Sequence, residues 1–186
     1  MKKMLIAFFA LALFNSCNNE KKEEKPADTA AAAAEPAKKA ATEILDASTA
    51  DIVLNSMQAF SKKDVDGMVA NYADNVRYLW SSGDSLIGKE AVKNYYAGRI
   101  KLIDTLTYGE HVILPIQMNE QQAKSVATGK WILFWTQTMV KYKNGKTIMF
   151  WLHTTNHLND AGKIDEVAQF IDRGQIAAAT AGMKVK

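Results

Sequence analysis

The chain has 186 residues and a formal net charge of +3, from 23 basic and 20 acidic side chains. This length fits one domain with a terminal extension, and the single cysteine excludes an intrachain disulfide. The basic residues form no stripe interleaved with aromatic residues, so nucleic acid is not an expected partner.

The first residues have the composition of a secretory leader. Lysines at positions 2–3 precede the apolar stretch 4–14, which is too short to cross a bilayer as a helix. Small Ser16 then precedes Cys17, and the chain becomes polar immediately afterwards. This arrangement resembles a bacterial lipoprotein signal, with Phe14 at the position where such signals usually have leucine. The resemblance implies cleavage before Cys17 and lipid on its sulfur and new amino group.

The leader therefore predicts a signal peptide over residues 1–16 and a membrane anchor at Cys17. We expect a lipid-anchored protein of the cell envelope, in the outer membrane or at the cell surface of a diderm bacterium. The sequence Asn-Asn-Glu-Lys-Lys-Glu-Glu after Cys17 resembles the surface-export signal of some diderm lipoproteins. A simple solvated run of charges is the alternative interpretation.

Residues 18–46 contain no aromatic residue and are rich in alanine, lysine and glutamate. Such a segment cannot bury enough apolar surface to offset its conformational entropy. We therefore predict a disordered tether over residues 17–46 and a folded domain over residues 47–186. A chain that begins at Ala47 is then expected to be as stable as one that begins at Asn18.

The domain opens with helical spacing. Val53, Met57 and Phe60 recur at i, i+4 and i+7, which predicts an amphipathic helix. Asp64 is a suitable N-cap for a short second helix, and a third helix is predicted to begin after Gly88.

The remaining elements are predicted strands. Alternating apolar residues indicate a strand over 76–81, with a return over 85–87. Longer strands follow over 107–118, 130–142, 146–158 and 164–172, the first of them bent at Pro115 because proline cannot donate to a central ladder.

The order of these elements and several short segments resemble the SnoaL-like branch of the nuclear transport factor 2-like superfamily. The segments that carry the resemblance are 64–72, 74–76, 88–92, 162–164 and 170–172. The resemblance spans nearly all of residues 47–182. It implies an α+β cone, in which a curved antiparallel sheet wraps around three helices and encloses a pocket. It also implies a homodimer formed through the convex face of the sheet.

The Asn144-Gly145 pair predicts a two-residue hairpin, in which the numbers of opposed residues sum to 289. In that register Trp135 faces Thr154 and Gln137 faces Leu152. The more apolar of the two resulting faces is assigned to the pocket, and the face that mixes aromatic, threonine and histidine residues is assigned to the dimer interface. The predicted pocket residues are Tyr72, Tyr78, Trp80, Trp135, Gln137 and Asn156. The predicted interface residues are Phe134, Tyr142, Met149, Trp151 and His153.

The opposite assignment of faces would bring Trp151 and His153 into the pocket. Imidazole groups in general are suited to proton transfer near neutrality, which makes His153 a candidate for catalysis, although a hydrogen-bonded structural role is more common on such a face. His153 and His157 are four residues apart on one strand, about 13 Å, and are too far apart to share a metal ion. No nucleotide-binding, nucleophile-elbow or Cys-x-x-Cys motif occurs, and we expect no cofactor and no metal site.

Asp172 is the candidate catalytic residue. In enzymes of the family, such as ketosteroid isomerases and polyketide cyclases, a carboxylate inside the cone moves protons at a carbon next to a carbonyl. The resemblance implies that Asp172 is that base, with Tyr72, Tyr78 or Trp80 donating a hydrogen bond. The alternative is that Asp172 caps the strand end or binds Arg173 in solvent.

Three functional hypotheses follow from the sequence. The cone binds a small, largely apolar ligand without converting it. Alternatively, the protein is an isomerase, dehydratase or cyclase that uses Asp172. A third interpretation is a dimerisation or interaction module of the cell envelope.

Overall fold

The structure, a computed structural model, describes residues 38–184. The predicted signal peptide, Cys17 and most of the predicted tether lie outside the described residues. Within residues 38–184 no helix is both long enough and apolar enough to cross a membrane.

The described region contains four helices: α1 (Asp51–Ser61), α2 (Val65–Val69), α3 (Lys89–Ile100) and α4 (Arg173–Thr180). The first three are the predicted helices. The Asp64 carboxylate accepts a hydrogen bond from the Gly67 amide at 2.8 Å, which is the expected cap of α2. Helix α4 was not predicted.

Within residues 38–184, seven strands form one curved, unclosed sheet. They are β1 (Thr42–Ile44), β2 (Tyr72–Trp80), β3 (Ser85–Ile87), β4 (Ile103–Met118), β5 (Gly129–Tyr142), β6 (Thr147–Leu158) and β7 (Ile164–Phe170). Their order across the sheet is β1-β4-β5-β6-β7-β2-β3. All neighbours are antiparallel except β2 and β7. The predicted α+β cone is confirmed, with α4 as an additional helix.

Strand β1 belongs to the folded domain, although it precedes the predicted domain start at Ala47. Thr42–Ile44, which we assigned to the tether, pairs with the far end of β4. The side-chain amide of Asn119 donates to the Ala40 carbonyl at 2.8 Å, and the Leu45 amide donates to the Pro115 carbonyl at 2.9 Å. These are mostly backbone contacts, which a polar composition does not exclude. A chain that begins at Ala47 lacks them, so the equal stability expected above no longer follows.

The β5–β6 hairpin has a different register from the predicted one. Opposed residues sum to 288 rather than 289, so that Trp135 faces His153 and Gln137 faces Trp151. A two-residue type I′ turn requires a positive φ at both central residues. Here only Gly145, at φ +85°, lies in that region, while Asn144 does not. The loop therefore contains Lys143 as well, and the Tyr142 amide closes it on the Lys146 carbonyl at 2.8 Å.

A tertiary contact supports this turn. The side-chain amide of Asn144 donates to the Ala179 carbonyl in α4 at 2.9 Å, while its oxygen accepts from the Lys146 amide at 3.1 Å. A register shift of one residue moves every side chain of one strand to the opposite face relative to its partner. Each face predicted for the hairpin therefore combines the inner-face residues of one strand with the outer-face residues of the other, and half of each assignment is wrong.

The inner face of the sheet, which packs against the helices, is formed by the even-numbered residues of β5 and β6. Phe134 and Tyr142 are each 1% exposed on this face, and Leu152 is 4% exposed. The odd-numbered residues of both strands form the outer face, where Trp151 is 65% exposed. Strand β4 is irregular between residues 103 and 105 and between 108 and 111, rather than at Pro115.

Candidate ligand-binding site

A cavity of about 260 Å³ lies between the inner face of the sheet, α3 and α4. We call it the main cavity. Seven aromatic residues contribute to its wall: Phe60, Trp80, Tyr95, Tyr96, Tyr108, Tyr142 and Phe150. Its aliphatic wall includes Ile103, Leu106, Val140, Leu152, Ile171 and Ile176. Pockets of this kind, apolar with a few polar groups, are typical of small-molecule sites.

One wall of the main cavity carries a hydrogen-bonded polar cluster. The hydroxyl oxygens of Tyr78 and Tyr96 are 2.6 Å apart. The Trp80 indole donates to the side-chain oxygen of Gln169 at 2.8 Å, and the Tyr96 hydroxyl lies 3.4 Å from the same oxygen. Among the described residues, the amide nitrogen of Gln169 makes no hydrogen bond and is not enclosed. It is therefore a free donor for a ligand.

Burial raises the pKa of the Tyr72, Tyr78, Tyr96 and Tyr108 hydroxyls well above the ordinary value for tyrosine. These hydroxyls therefore remain protonated at any physiological pH. They are suited to donating or accepting neutral hydrogen bonds and not to acting as general bases.

Thr138, on the inner face of β5, also lines the main cavity. Its side chain is almost fully buried, and its hydroxyl is the one enclosed side-chain polar atom without a hydrogen-bond partner among the described residues. Leaving a buried hydroxyl unpaired costs about 1–3 kcal/mol. Because Thr138 contributes to the cavity wall, its unpaired hydroxyl is a candidate to pair with a bound molecule.

Two arginines supply positive charge to the main cavity. Arg173, at the start of α4, donates to the Asp84 carboxylate and to the Ser82 hydroxyl, and its guanidinium lies 5.1 Å from the Trp80 ring centre. Arg99, near the end of α3, has no carboxylate within 4 Å among the described residues. No carboxylate or imidazole from residues 38–184 lines this cavity.

A second, smaller cavity of about 40 Å³, which we call the inner cavity, shares Phe60 and Tyr96 with the main cavity. Tyr72, Tyr78 and Asn156 line this inner cavity. The Asn156 amide donates to the Ile132 carbonyl and to the Thr154 hydroxyl, each at 3.1 Å.

The predicted pocket residues are therefore divided among three places. Trp80 lines the main cavity, and three others line the inner one. Trp135 and Gln137 lie on the outer face, so their assignment to the pocket was wrong, because the hairpin register differs by one residue.

The predicted interface residues are divided by the same shift. Phe134 and Tyr142 lie on the inner face and are buried, so they cannot belong to an interface on the convex surface. Met149 and Trp151 are exposed on the outer face, as expected. His153 is also on that face, between Trp135 at 4.4 Å and Phe170 at 5.3 Å between ring centres, and both pairs are stacked.

Asp172 does not lie in a position to act on a ligand in the main cavity. It is exposed, it does not contribute to the wall, and its carboxylate accepts a hydrogen bond from the Gln175 amide at 3.1 Å. It is the N-cap of α4. The alternative prediction, that Asp172 is a capping residue, therefore agrees with the structure, although Asp172 caps a helix and not a strand end. Arg173 pairs with Asp84 and not with Asp172.

Sequence reasoning missed the polar groups that matter most here. Thr138 and Gln169 each interrupt an apolar face of a strand, which is a signal of a buried polar site, but the wrong hairpin register hid the first of them. Arg99 lies in the third predicted helix but is not among the predicted site residues.

The sequence profile of the SnoaL-like domain family matches residues 53–167. Similar solved structures include a nuclear transport factor 2-like protein of unknown function from Burkholderia pseudomallei, with 15% identity and a TM-score of 0.56 over 74% of this chain and all of that one. A candidate polyketide cyclase from Pseudomonas putida has 15% identity and a TM-score of 0.57, over 70% of this chain and 96% of its own.

A candidate isomerase from Bacillus subtilis has 12% identity and a TM-score of 0.57, over 74% of this chain and 96% of its own. At these identities the similarity establishes the fold alone. No curated protein sequence matches the chain.

Proposed function

The chain belongs to the SnoaL-like domain family, and we propose that its domain binds a small, largely apolar organic molecule in the main cavity. The observation that carries this proposal is the cavity itself, about 260 Å³ in volume and walled by seven aromatic side chains. This volume is slightly below the range of about 300–1,000 Å³ for drug-sized ligands, which favours a small molecule.

The side chains of the cavity wall favour binding of the ligand without its chemical conversion. Proton transfer next to a carbonyl needs a base within hydrogen-bonding reach of the substrate. The described wall offers as polar side-chain groups only tyrosine hydroxyls, the Trp80 indole N–H, two threonines, a glutamine and two arginines. Asp172, the base expected from the family, is exposed and occupied as a helix cap. The names of the structural neighbours belong to those proteins and do not identify a reaction here.

Native mass spectrometry of the full chain tests the binding proposal. We expect a bound small molecule, or binding of added naphthalene derivatives, in the wild-type protein. Leu152→Trp should abolish binding, because its larger side chain enters the main cavity from the inner face. Met149→Trp adds the same ring on the outer face and should leave binding unchanged. A protein that binds none of these molecules, or a Leu152→Trp variant that binds normally, would contradict the proposal.

The proposal includes a lipid anchor at Cys17, which is supported by the leader sequence. The ligand-binding domain would then act at a membrane of the cell envelope, at the end of a polar connecting segment.

We also propose that the domain forms a homodimer through the outer face of the sheet. The supporting observation is a continuous apolar group across β4 to β7. Its members are Val112, Trp135, Met139, Met149, Trp151 and Phe170, together with His153. Burying such a surface stabilises association by about 25 cal/mol per Å², and exposed apolar patches of this kind mark interaction sites.

Trp151→Lys should convert the proposed dimer to a monomer, because it introduces a charge at the exposed centre of this group. Sedimentation of the full chain at micromolar concentration, in density-matched detergent, measures the change. Ile87→Lys is the control, since Ile87 is 62% exposed but is separated from the apolar group by the Arg77–Glu166 ion pair. A wild-type monomer, or equal effects of the two variants, would refute the dimer.

A further inference from the structure

We infer that the ligand of the main cavity is an organic anion, with a ring-containing apolar body and one acidic group that pairs with Arg99. This inference rests on the proposed function of the cavity and adds the chemical class of its ligand.

The charges around the main cavity are the first observation that favours an anionic ligand. Two guanidinium groups and no carboxylate from the described residues contribute to its wall. Arg173 is already neutralised by Asp84 and held by Ser82. Arg99 has no such partner within 4 Å among the described residues. The wall therefore carries one positive charge that no acidic side chain compensates.

The effect of Arg99 extends to the aromatic wall. Burial raises the pKa of both Tyr96 and Tyr142, and Arg99 acts against that increase in each case, through its positive charge and, for Tyr142, also through a side-chain hydrogen bond. The guanidinium therefore stabilises negative charge on oxygen atoms that line the cavity. A ligand carboxylate in the same region would be stabilised in the same way, more strongly than in water because the surroundings are apolar.

The planar shape of the guanidinium restricts which kinds of acidic group the ligand can carry. Arginine presents paired N–H donors in a planar fork, which matches a carboxylate or a similar oxyanion with two oxygens. Arg99 is only partly buried, so that its charge is tolerated while the cavity is empty.

The aromatic wall restricts the shape of the apolar part of the ligand. Tyr95 lies 5.1 Å from both Trp80 and Tyr96 between ring centres, with tilted and edge-on geometry. Such an arrangement of rings favours a flat, polarizable molecule over a flexible alkyl chain, since aromatic contacts add to the burial of area. The unbonded amide nitrogen of Gln169 and the hydroxyl of Thr138 supply further neutral hydrogen bonds.

A pair of probes with the same ring system tests the inference. The probes are 2-naphthoate and its neutral counterpart 2-naphthalenemethanol, and their binding to the full chain is measured by titration calorimetry in one detergent. We expect the wild-type protein to bind 2-naphthoate at least about tenfold more tightly than the alcohol, as for a charge-assisted hydrogen bond. Arg99→Gln should remove this preference and leave the affinity for the alcohol unchanged. Arg99→Lys should keep part of the preference, because it retains the charge without the fork.

Arg77→Gln is the matched control. Arg77 has a 56% exposed side chain on the outer face, where it pairs with Glu166, so its replacement changes net charge without touching the cavity. Equal affinities of the wild type for both probes would overturn the anion inference and leave the binding proposal intact. Failure of both probes to bind would overturn the binding proposal itself. A parallel loss of both probes in Arg99→Gln would assign Arg99 a structural role and also overturn the inference.

Discussion

Replacing Cys17 by serine is expected to abolish membrane attachment of the protein completely. In the lipoprotein pathway that the leader resembles, the diacyl group is joined through the cysteine sulfur, and a serine hydroxyl cannot replace it. Each buried methylene of an acyl chain contributes about 0.8 kcal/mol to membrane binding, so the loss of the chains removes nearly all of the affinity. Membrane fractionation and mass spectrometry of the amino terminus measure the result.

The serine variant should also retain residues 1–16, because cleavage by the lipoprotein peptidase follows lipid attachment. Asn18→Ser, which alters the adjacent residue and keeps Cys17, is the control and should remain processed and anchored. The thermal melting of the folded domain should be the same in both variants, since neither substitution changes a residue of the domain. If the serine variant is still cleaved and membrane-bound, the leader is not a lipoprotein signal.

The elements that the sequence predicted well are those with a clear periodicity. Helices α1 and α3 and the long strands have apolar residues at regular spacing, and their burial follows that spacing in the structure. Strand β1 has three exposed residues in a polar segment, and only its pairing with β4 reveals it. Helix α4 has eight residues, three of them alanine, and only one of the eight is buried, so no apolar stripe marks it.

The hairpin shows why the candidate site was only partly predictable. Asn-Gly favours a two-residue turn in isolation, but here the Asn144 side chain is held by the Ala179 carbonyl of α4. Because α4 has no clear signal in the sequence, a contact with it cannot be foreseen from the Asn-Gly pair alone. The resulting shift of one residue moved Trp135 and Gln137 into the predicted pocket and left Thr138 out of it.

The folded domain is expected to become more stable when Thr138 is replaced by valine. Thr138 is 2% exposed, and its hydroxyl has no partner among the described residues, so the empty protein carries an unpaired buried polar group. Valine has nearly the same shape and a similar preference for strands, and it removes the cost of about 1–3 kcal/mol for an unpaired hydroxyl. For a domain of this size, each 1 kcal/mol raises the Tm by about 2–4 °C. Differential scanning calorimetry of the ligand-free protein measures the change.

Thr136→Val provides a control with the opposite expected sign. Thr136 is equally buried on the same face of β5, but its hydroxyl lies 3.2 Å from the Glu110 carbonyl, to which it donates, so valine there should lower the Tm. In the presence of 2-naphthoate, the Thr138→Val protein should gain less stability than the wild type, because it lacks the hydroxyl that is expected to pair with the ligand. A Tm that falls equally in both variants would mean that the Thr138 hydroxyl already has a hydrogen-bond partner in the empty cavity. The proposed hydrogen bond from Thr138 to the ligand would then be wrong. The proposed contributions of Gln169 and Arg99 to ligand binding would be unaffected.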